Sequence, residues 1–496
     1  MAGISRTRTA ILPLSSIPSA LRPLVRAYLL GYASAVLPRL STLFLQHLAR
    51  RKPRRPDYTL PDTPNDESLY VSCQHVLRTA LHPYQFPAFC AVLVGGSTLL
   101  QALLSKVIAR AATRLGSTWR LRFTRSLASF IAAWCSLKLL QANRSSLKRR
   151  RAASLANARY AQADPQTGRE LAGRTMDLTL FAATQAVDVI IGELWARHKA
   201  RRQRDGTWTK AETVISTMTD PVSFVTSCAL IMWSWFYRPD ALPRTYNKWI
   251  TSAAHVDIRL IEALRRCRNR DIIYGKETGQ APLLGSLSTE HKLPYEWGDP
   301  ARSIPFPCEV VHMGRGPSCE NHAWRRFWLS WTWAMQTYLP LALVLHLRNP
   351  SRRSVTIKTA ITVVLSACRS SAFLGAFIAL FYYGVCLGRT RLGPRLLGKD
   401  TESRQRLDGG YCVGAGCFLC GWSVLIETAR RRRDMALFVA PRALATLLPR
   451  RYPVEMQWRE TLVFAASTAA VFTCAMEKPG RVRGMLGGIL AVTMRE

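Results

Sequence analysis

The stretch GYCVGAGCFLCGWSVLIETARRRRDMALFVAPRAL (410–444) decides how this chain is read. An uncharged apolar run ends at Glu427, four arginines follow, and a second apolar run begins at once. Apolar runs flanked by bursts of basic residues are the pattern of helices that end at a membrane surface. The same alternation recurs at RRKPRR (50–55), KRRR (148–151), ARHKARRQR (196–204) and RRCRNR (265–270).

The whole composition fits that pattern. The 496 residues are 48% hydrophobic yet carry a net charge of +38, from 69 basic and 31 acidic side chains. A nucleic-acid binder of that charge displays it as a groove or tail with a recognisable binding motif. Here the charges lie between apolar runs and are not interleaved with aromatics, so nucleic acid is not an expected partner. Walker, dinucleotide-binding and Ser-His-Asp patterns are not found.

A helix needs about 20 mostly apolar residues to cross a bilayer. Ten candidates follow: about 28–48, 86–108, 124–141, 176–195, 213–237, 328–347, 370–388, 410–428, 434–448 and 458–476. Several are short or interrupted, by Arg39, Pro221, Pro340 or Pro441, which a bundle tolerates when such positions face other helices. The fold expected is all-α, a polytopic helical membrane protein. Residues 355–368 read as a short interfacial helix before the next span. Loops 56–83 and 239–305 are polar. Within the second, TSAAHVDIRLIEALRRCRNR (251–270) has Val256, Leu260, Ile261 and Leu264 at helical spacing, as in a small extramembrane helix. Trp324, Trp328, Trp331 and Trp333 crowd the entry of span 328–347 like an interfacial belt.

Three pairs of segments align in the same order. PAFCAVL (87–93) faces SAFLGAF (371–377), SFIAAWCSL (129–137) faces CFLCGWSVL (417–425), and MDLTLFAATQAV (176–187) faces RDMALFVAPRAL (433–444). The shared positions include Trp134 with Trp422, Asp177 with Asp434 and Phe181 with Phe438. The chain is therefore expected to contain two related three-helix units. The organisation expected is a basic N-terminal helix (1–56), a polar loop (57–85), a first membrane unit with an added span (86–238) and a polar extramembrane segment (239–304). A Cys/His loop (305–327), a second membrane unit (328–476) and a tail (477–496) complete it. Gly375 with Ala379, Gly384 with Gly388, and Gly410 with Gly414 are spaced for close helix packing.

The densest chemistry lies in PFPCEVVHMGRGPSCENHAWRRF (305–327). Cys308, His312, Cys319 and His322 have the spacing Cys-x3-His-x6-Cys-x2-His. Two thiolates and two imidazoles suit tetrahedral zinc, although structural sites more often separate two close pairs by a longer loop. A Cys308–Cys319 disulfide suits an oxidising compartment. A catalytic thiol lacks a base and orienting group nearby in sequence. The reading favoured is a structural loop that caps the bundle by packing and hydrogen bonds. The other cysteines, Cys90, Cys135, Cys228, Cys368, Cys386 and Cys474 among them, sit singly in apolar runs and read as small apolar fillers. Asp177 and Asp188 lie eleven residues apart on one helical face and could form an intramembrane polar site, or pair with arginines of neighbouring helices. Glu427, just before the four arginines, reads as locally paired.

Taken together, CEVVHMGRGPSC (308–319), RSSAFLGAFIALFYYG (369–384) and the 410–444 stretch resemble the transmembrane protein 135 family. That family joins a cysteine-rich region to helices related to the Tim and peroxisomal-membrane-protein superfamily. The likeness covers residues 300–450, and the repeat carries it to 86–200. The N-terminal RAYLLGYASAVLPRL resembles fungal-type members. The resemblance implies an integral, non-enzymatic protein of peroxisomal or mitochondrial membranes, linked to lipid homeostasis and organelle dynamics. Its pattern covers Cys308, His312, Pro317, Ser318 and Cys319 but not His322, so it brings no four-ligand metal site and no catalytic residue. The partners expected are membrane lipids, anionic headgroups above all, with a homo- or hetero-oligomer left open. A transporter of a small metabolite or lipid, and a membrane enzyme using the Cys/His loop, are the alternatives. No cleavable secretory signal is expected; the acid-free residues 1–56 resemble a mitochondrial presequence, but a membrane or interfacial helix with a basic flank fits them better.

Overall fold

The computed structural model describes residues 17–50, 69–111, 116–142, 171–347, 357–478 and 480–494. Among these, helix dominates and the sole sheet is one two-residue pairing. In chain order the elements are α1 (Arg22–Arg50), α2 (Leu69–Ala80), α3 (Phe86–Ala111), α4 (Ser117–Gln141) and β1 (Leu171–Ala172). Then come α5 (Met176–Arg204), α6 (Lys210–Tyr237), α7 (Arg244–Ala254), α8 (Ile258–Asn269), α9 (Ala281–Glu290) and α10 (Cys319–Leu347). The chain continues with α11 (Ile357–Leu396) and α12 (Thr401–Ile426). It closes with α13 (Ala429–Leu447), β2 (Tyr452–Pro453), α14 (Gln457–Glu477) and α15 (Gly484–Thr493).

Five helices among the described residues are long and apolar enough to cross a membrane: α3, α5, α6, α11 and α12. Their outward faces are oily. On α5, Val187, Ile190, Ile191 and Leu194 are all more than half exposed. In water such a stripe would be unfavourable; in hydrocarbon it has no penalty, because the helix satisfies its own backbone. This is the fold of a multi-pass helical membrane protein. The other five expected spans also form helices of sufficient length, but among the described residues each is too polar or too charged to be counted with them. α4 carries Arg120, Arg122, Arg125 and Lys138, and α13 opens on four arginines.

Local chemistry explains several helix limits. Thr209 and Glu212 form a reciprocal capping box at the start of α6: the Glu212 N–H donates to Thr209 Oγ1 at 3.3 Å, and the Thr209 N–H donates to Glu212 Oε2 at 2.8 Å. Asp257 caps α8, accepting from the Arg259 N–H at 2.8 Å. Between α7 and α8, His255 turns left-handed at φ 47°. The expected single helix over 251–270 is therefore two, and Val256 lies in the break. Leu260 and Ile261 are buried, as their spacing predicts. Two further expectations are corrected. Residues 357–368 are the first turns of α11 rather than a separate interfacial helix, because no proline or glycine interrupts the helix between Ile357 and Leu374. The polar loop 56–83 contains α2. The basic bursts 51–55 and 148–151 lie outside the described residues.

The chain divides into two units, 1–202 with 451–496, and 203–450. The boundaries differ from those expected. Helix α6 belongs to the second unit and α14 to the first. In unit 1, α1 packs on α3, α3 on α4, and α4 on α14. Ala186 and Val189 of α5 join the core beside Val471 and Phe472. In unit 2, α10 packs on α11, α11 on α12, α12 on α6, and α6 on α13.

Candidate metal centre and polar sites

A single helical turn, Cys308–Val311, starts the Cys/His loop and places Cys308 and His312 on the same side. Met313 at φ 57°, Gly314 at φ 70° and Gly316 at φ 85° then turn the chain back sharply, which delivers Cys319 to the start of α10. A side chain at Gly314 would meet the His291 Cβ at 2.9 Å, so glycine serves both the left-handed backbone and the close approach. The result is compact: one donor atom each from Cys308, His312 and Cys319 lie within 4.8 Å of one another. All thirteen cysteines are free, so the Cys308–Cys319 disulfide is not formed.

The fourth expected donor is elsewhere. His322 stacks behind His312, ring centroids 4.4 Å apart and planes 9° from parallel, and meets the Tyr382 ring edge-on at 5.4 Å. It is not among the clustered donors. Cys386, near the end of the regular part of α11, also lies outside that three-residue cluster, but it brings its Sγ to 3.4 Å from His312 Nε2. The Cys386 thiol also lies in hydrogen-bonding contact with Cys319. Reading Cys386 as an isolated apolar filler was therefore incomplete: it is buried, but beside polar donors. No local signal marked it, because the contact joins positions 74 apart.

The electrostatics argue against a catalytic thiol. Burial, with Cys319 beside it, pushes the Cys308 thiol up to about 11. Burial lowers His312, and burial together with His312 and Arg326 lowers His322 to about 3. Neutral thiol and neutral imidazole do not make the thiolate–imidazolium pair of a cysteine nucleophile. Arg326 is buried to 1% exposure. It donates to the His255 carbonyl at 2.8 Å and lies 4.4 Å over the Tyr382 ring. It has no acidic partner among the described residues.

Other polar residues fall into place in each unit. In unit 1, Asp188 accepts from Arg483 Nε at 2.9 Å and from its Nη2. Its side chain is only 9% exposed. Asp177 stands exposed in the first turn of α5, where a carboxylate suits the helix dipole. The two acids share a face but not a site. Sequence reading missed Glu460 of α14, which is buried and accepts from the hydroxyls of Thr175, Thr179 and Tyr452.

In unit 2, Arg389 and Asp408 form a buried bidentate pair at 2.7 and 3.0 Å, joined by the Tyr274 hydroxyl. Gln405 donates to the carbonyls of Cys267 and Ile272 at 2.9 and 2.8 Å. Glu427 accepts from Ser370 at 2.9 Å and lies 3.4 Å from Arg431. Gly384 faces α12 so closely that a Cβ would sit 2.8 Å from Gly416 Cα, and Gly388 meets Cys412 Cα at 3.1 Å. Gly375 faces the Phe327 carbonyl at 3.0 Å, and Gly414 has only ordinary contact with Trp233 at 3.7 Å. Gly410 is a kink, at φ 153° and ψ −31°, rather than a helical packing position.

Beside a small apolar cavity of about 70 Å³ in unit 2, between Trp235, Leu260 and Phe381, two larger cavities stand out among the described residues. In unit 1, a partly open cavity of about 440 Å³ lies among α1, α3, α5, α14 and α15, with Leu93, Phe181, Phe464 and Phe472 on its walls. Gln185, Thr468 and Thr493 are its buried polar side chains; Gln185 is 2% exposed, and its Oε1 has no hydrogen-bond partner. In unit 2, an open cavity of about 700 Å³ is lined by Trp233, Arg268, Arg270, Glu402 and Arg406.

The fold and these sites define a polytopic helical membrane protein with a thiol–imidazole cluster. No protein-family model, curated protein or solved structure matches the chain, so no comparison assigns it to a particular family.

Proposed function

We propose that this chain is a non-enzymatic integral membrane protein of peroxisomes or mitochondria that acts in lipid homeostasis by holding a lipid chain within its first unit. The observation that carries the reading is the 440 Å³ cavity. Its volume falls in the range of small-molecule pockets, and its walls are apolar. A buried amide oxygen without a partner is unfavourable by about 1–3 kcal/mol. An apolar ligand with one hydroxyl, protonated carboxyl or amide N–H would relieve Gln185 while its tail fills the cavity. The arginine-lined cavity of unit 2 supports anionic headgroups as further partners, since three arginines there face one acid, Glu402. The choice of organelle rests on the resemblance carried by residues 308–319, 369–384 and 410–444.

Two related helical units remain part of this reading. The packing order supports the duplication: α3 lies on α4 as α11 lies on α12, and these are the segments that align in sequence. The closing helix would be α14 in one unit and α6 in the other. A transporter built on Asp177 and Asp188 has less support, because Asp188 is held by Arg483.

The test is lipid analysis of the full chain purified in mild detergent. A lipid bearing a hydrogen-bond donor should accompany the wild type and be lost from Ala182→Trp, which fills the cavity. Equal lipid in both would remove the reading. Imaging a tagged chain against peroxisomal and mitochondrial markers checks the compartment; a plasma-membrane pattern would refute it.

A further inference from the structure

We propose that Cys308, His312, Cys319 and Cys386 are the four ligands of a structural zinc ion that clasps the Cys/His loop to the end of α11. Three independent observations carry this.

The first is distance. A tetrahedral zinc with sulfur at about 2.3 Å and nitrogen at about 2.0–2.1 Å sets its ligand atoms roughly 3.5–3.8 Å apart. Cys386 Sγ already lies 3.4 Å from His312 Nε2. The Cys308, His312 and Cys319 donors lie within 4.8 Å of one another, so small side-chain rotations close the ring.

The second is the tautomer. His312 Nδ1 lies 2.8 Å from the Gly316 carbonyl oxygen, which can only accept. Nδ1 therefore holds the proton, and the Nε2 lone pair points at the sulfur atoms. A metal-binding imidazole is oriented in this way, by a hydrogen bond from its other nitrogen.

The third is charge. Arg326 is buried with carbonyl, ring and thioether partners and no acid among the described residues. A zinc ion with three thiolates and one neutral imidazole has a net charge of −1. That centre supplies the anion which a buried guanidinium requires. A centre with two thiolates and two imidazoles would be neutral and would not.

The separation also suits a structural site. The ligands come from a short loop and from a helix 74 positions beyond His312, which resolves the crowding implied by a site confined to 308–322. The role is structural because all four tetrahedral positions are filled by protein, leaving none for water or substrate. His322 then packs against His312 without binding metal. Binding zinc releases the three thiol protons to solvent and involves no change of oxidation state.

The test is zinc content and zinc K-edge X-ray absorption of the full chain, purified in detergent through a tag without histidine. About one zinc per chain with three sulfurs and one nitrogen is expected. Second-shell changes alone lower metal affinity about 10–100-fold, so losing a ligand in Cys386→Ser should lower it more than about 100-fold. His322→Phe and Cys368→Ser should retain zinc. The absorption spectrum needs no variant, so a misfolded Cys386→Ser would not obscure the answer. A shell of two sulfurs and two nitrogens, or a wild-type chain without zinc after growth in zinc-supplemented medium, overturns the proposal.

Discussion

The two units follow the same serial packing and both bury polar groups, yet they distribute their internal space differently. Unit 1 packs α1, α3, α4 and α14 in series, and an apolar cavity with one orphan amide lies among α1, α3, α5, α14 and α15. Unit 2 places α10, α11, α12 and α6 in the same kind of series. Its interior is cross-linked by Arg389, Asp408, Tyr274 and Gln405, and its helices touch at glycine. Helix order alone therefore does not decide whether a bundle encloses space or closes on itself. The side chains at a few inward positions decide it. Where α11 meets α12, Gly384 and Gly416 allow backbone contact; in unit 1, Gly31 and Gly95 bring α1 and α3 together in the same way, while Phe89, Leu93 and Phe464 line the cavity beside them.

The largest effect should come from the polar interior of unit 2. Asp408→Ala leaves Arg389 buried without its carboxylate, and breaking such a pair costs about 3–5 kcal/mol. Thermal unfolding of the full chain in detergent should show it as a large loss. Asp188→Ala in unit 1 should cost less, because Arg483 is 30% exposed and can be solvated. Equal losses would erase the contrast between the units.

Next come the helix contacts. Gly384→Ala forces α11 and α12 apart and should destabilise by about 1–3 kcal/mol. Gly414→Ala meets only ordinary contact and should be neutral or stabilising by up to about 1 kcal/mol, because alanine favours helix. The same melting series checks both, and equal effects would show that the close approach at Gly384 is not limiting.

In unit 1, Gln185→Leu removes the unpaired acceptor. With the cavity emptied by delipidation, the variant should be more stable by about 1 kcal/mol. It should also retain less donor-bearing lipid than the wild type. Lower stability without lipid would mean that the amide is serving the fold rather than a ligand.

The smallest effect lies at Asp257, whose substitution by Ala should cost about 1 kcal/mol as a lost helix cap. The Arg259 side chain, bonded to Asp257, holds its carboxyl below the usual range. With the folded value depressed, this contribution is present above the ordinary aspartate value and is lost as pH falls through the folded one. The difference between wild type and Asp257→Ala should therefore shrink below about pH 4.

Much of the fold was legible because its signals are local. Apolar runs and arginine bursts marked the positions of all ten long helices, since each run must be buried or lie in lipid wherever it ends up. The same signals overstated how many could cross, because α4 and α13 carry their charge within the helix. Neither the cap at Asp257 nor the left-handed turn at His255 was read from the sequence, since no residue at 255 demands a break. All three clustered donors were visible in the 308–322 loop. Cys386 looked like any other thiol in an apolar run, and His322 looked like a ligand because it is near in sequence.

The sequence alone determined that the chain is helical and suited to a membrane, because hydropathy and charge spacing act over a few turns of helix. It also determined that thiols and imidazoles are concentrated in one loop. Only the tertiary structure decided which cysteine meets His312, which arginine holds Asp188, and which unit claims α6 and α14. Those outcomes depend on helices far apart in the chain packing side by side, and no local pattern encodes such a meeting.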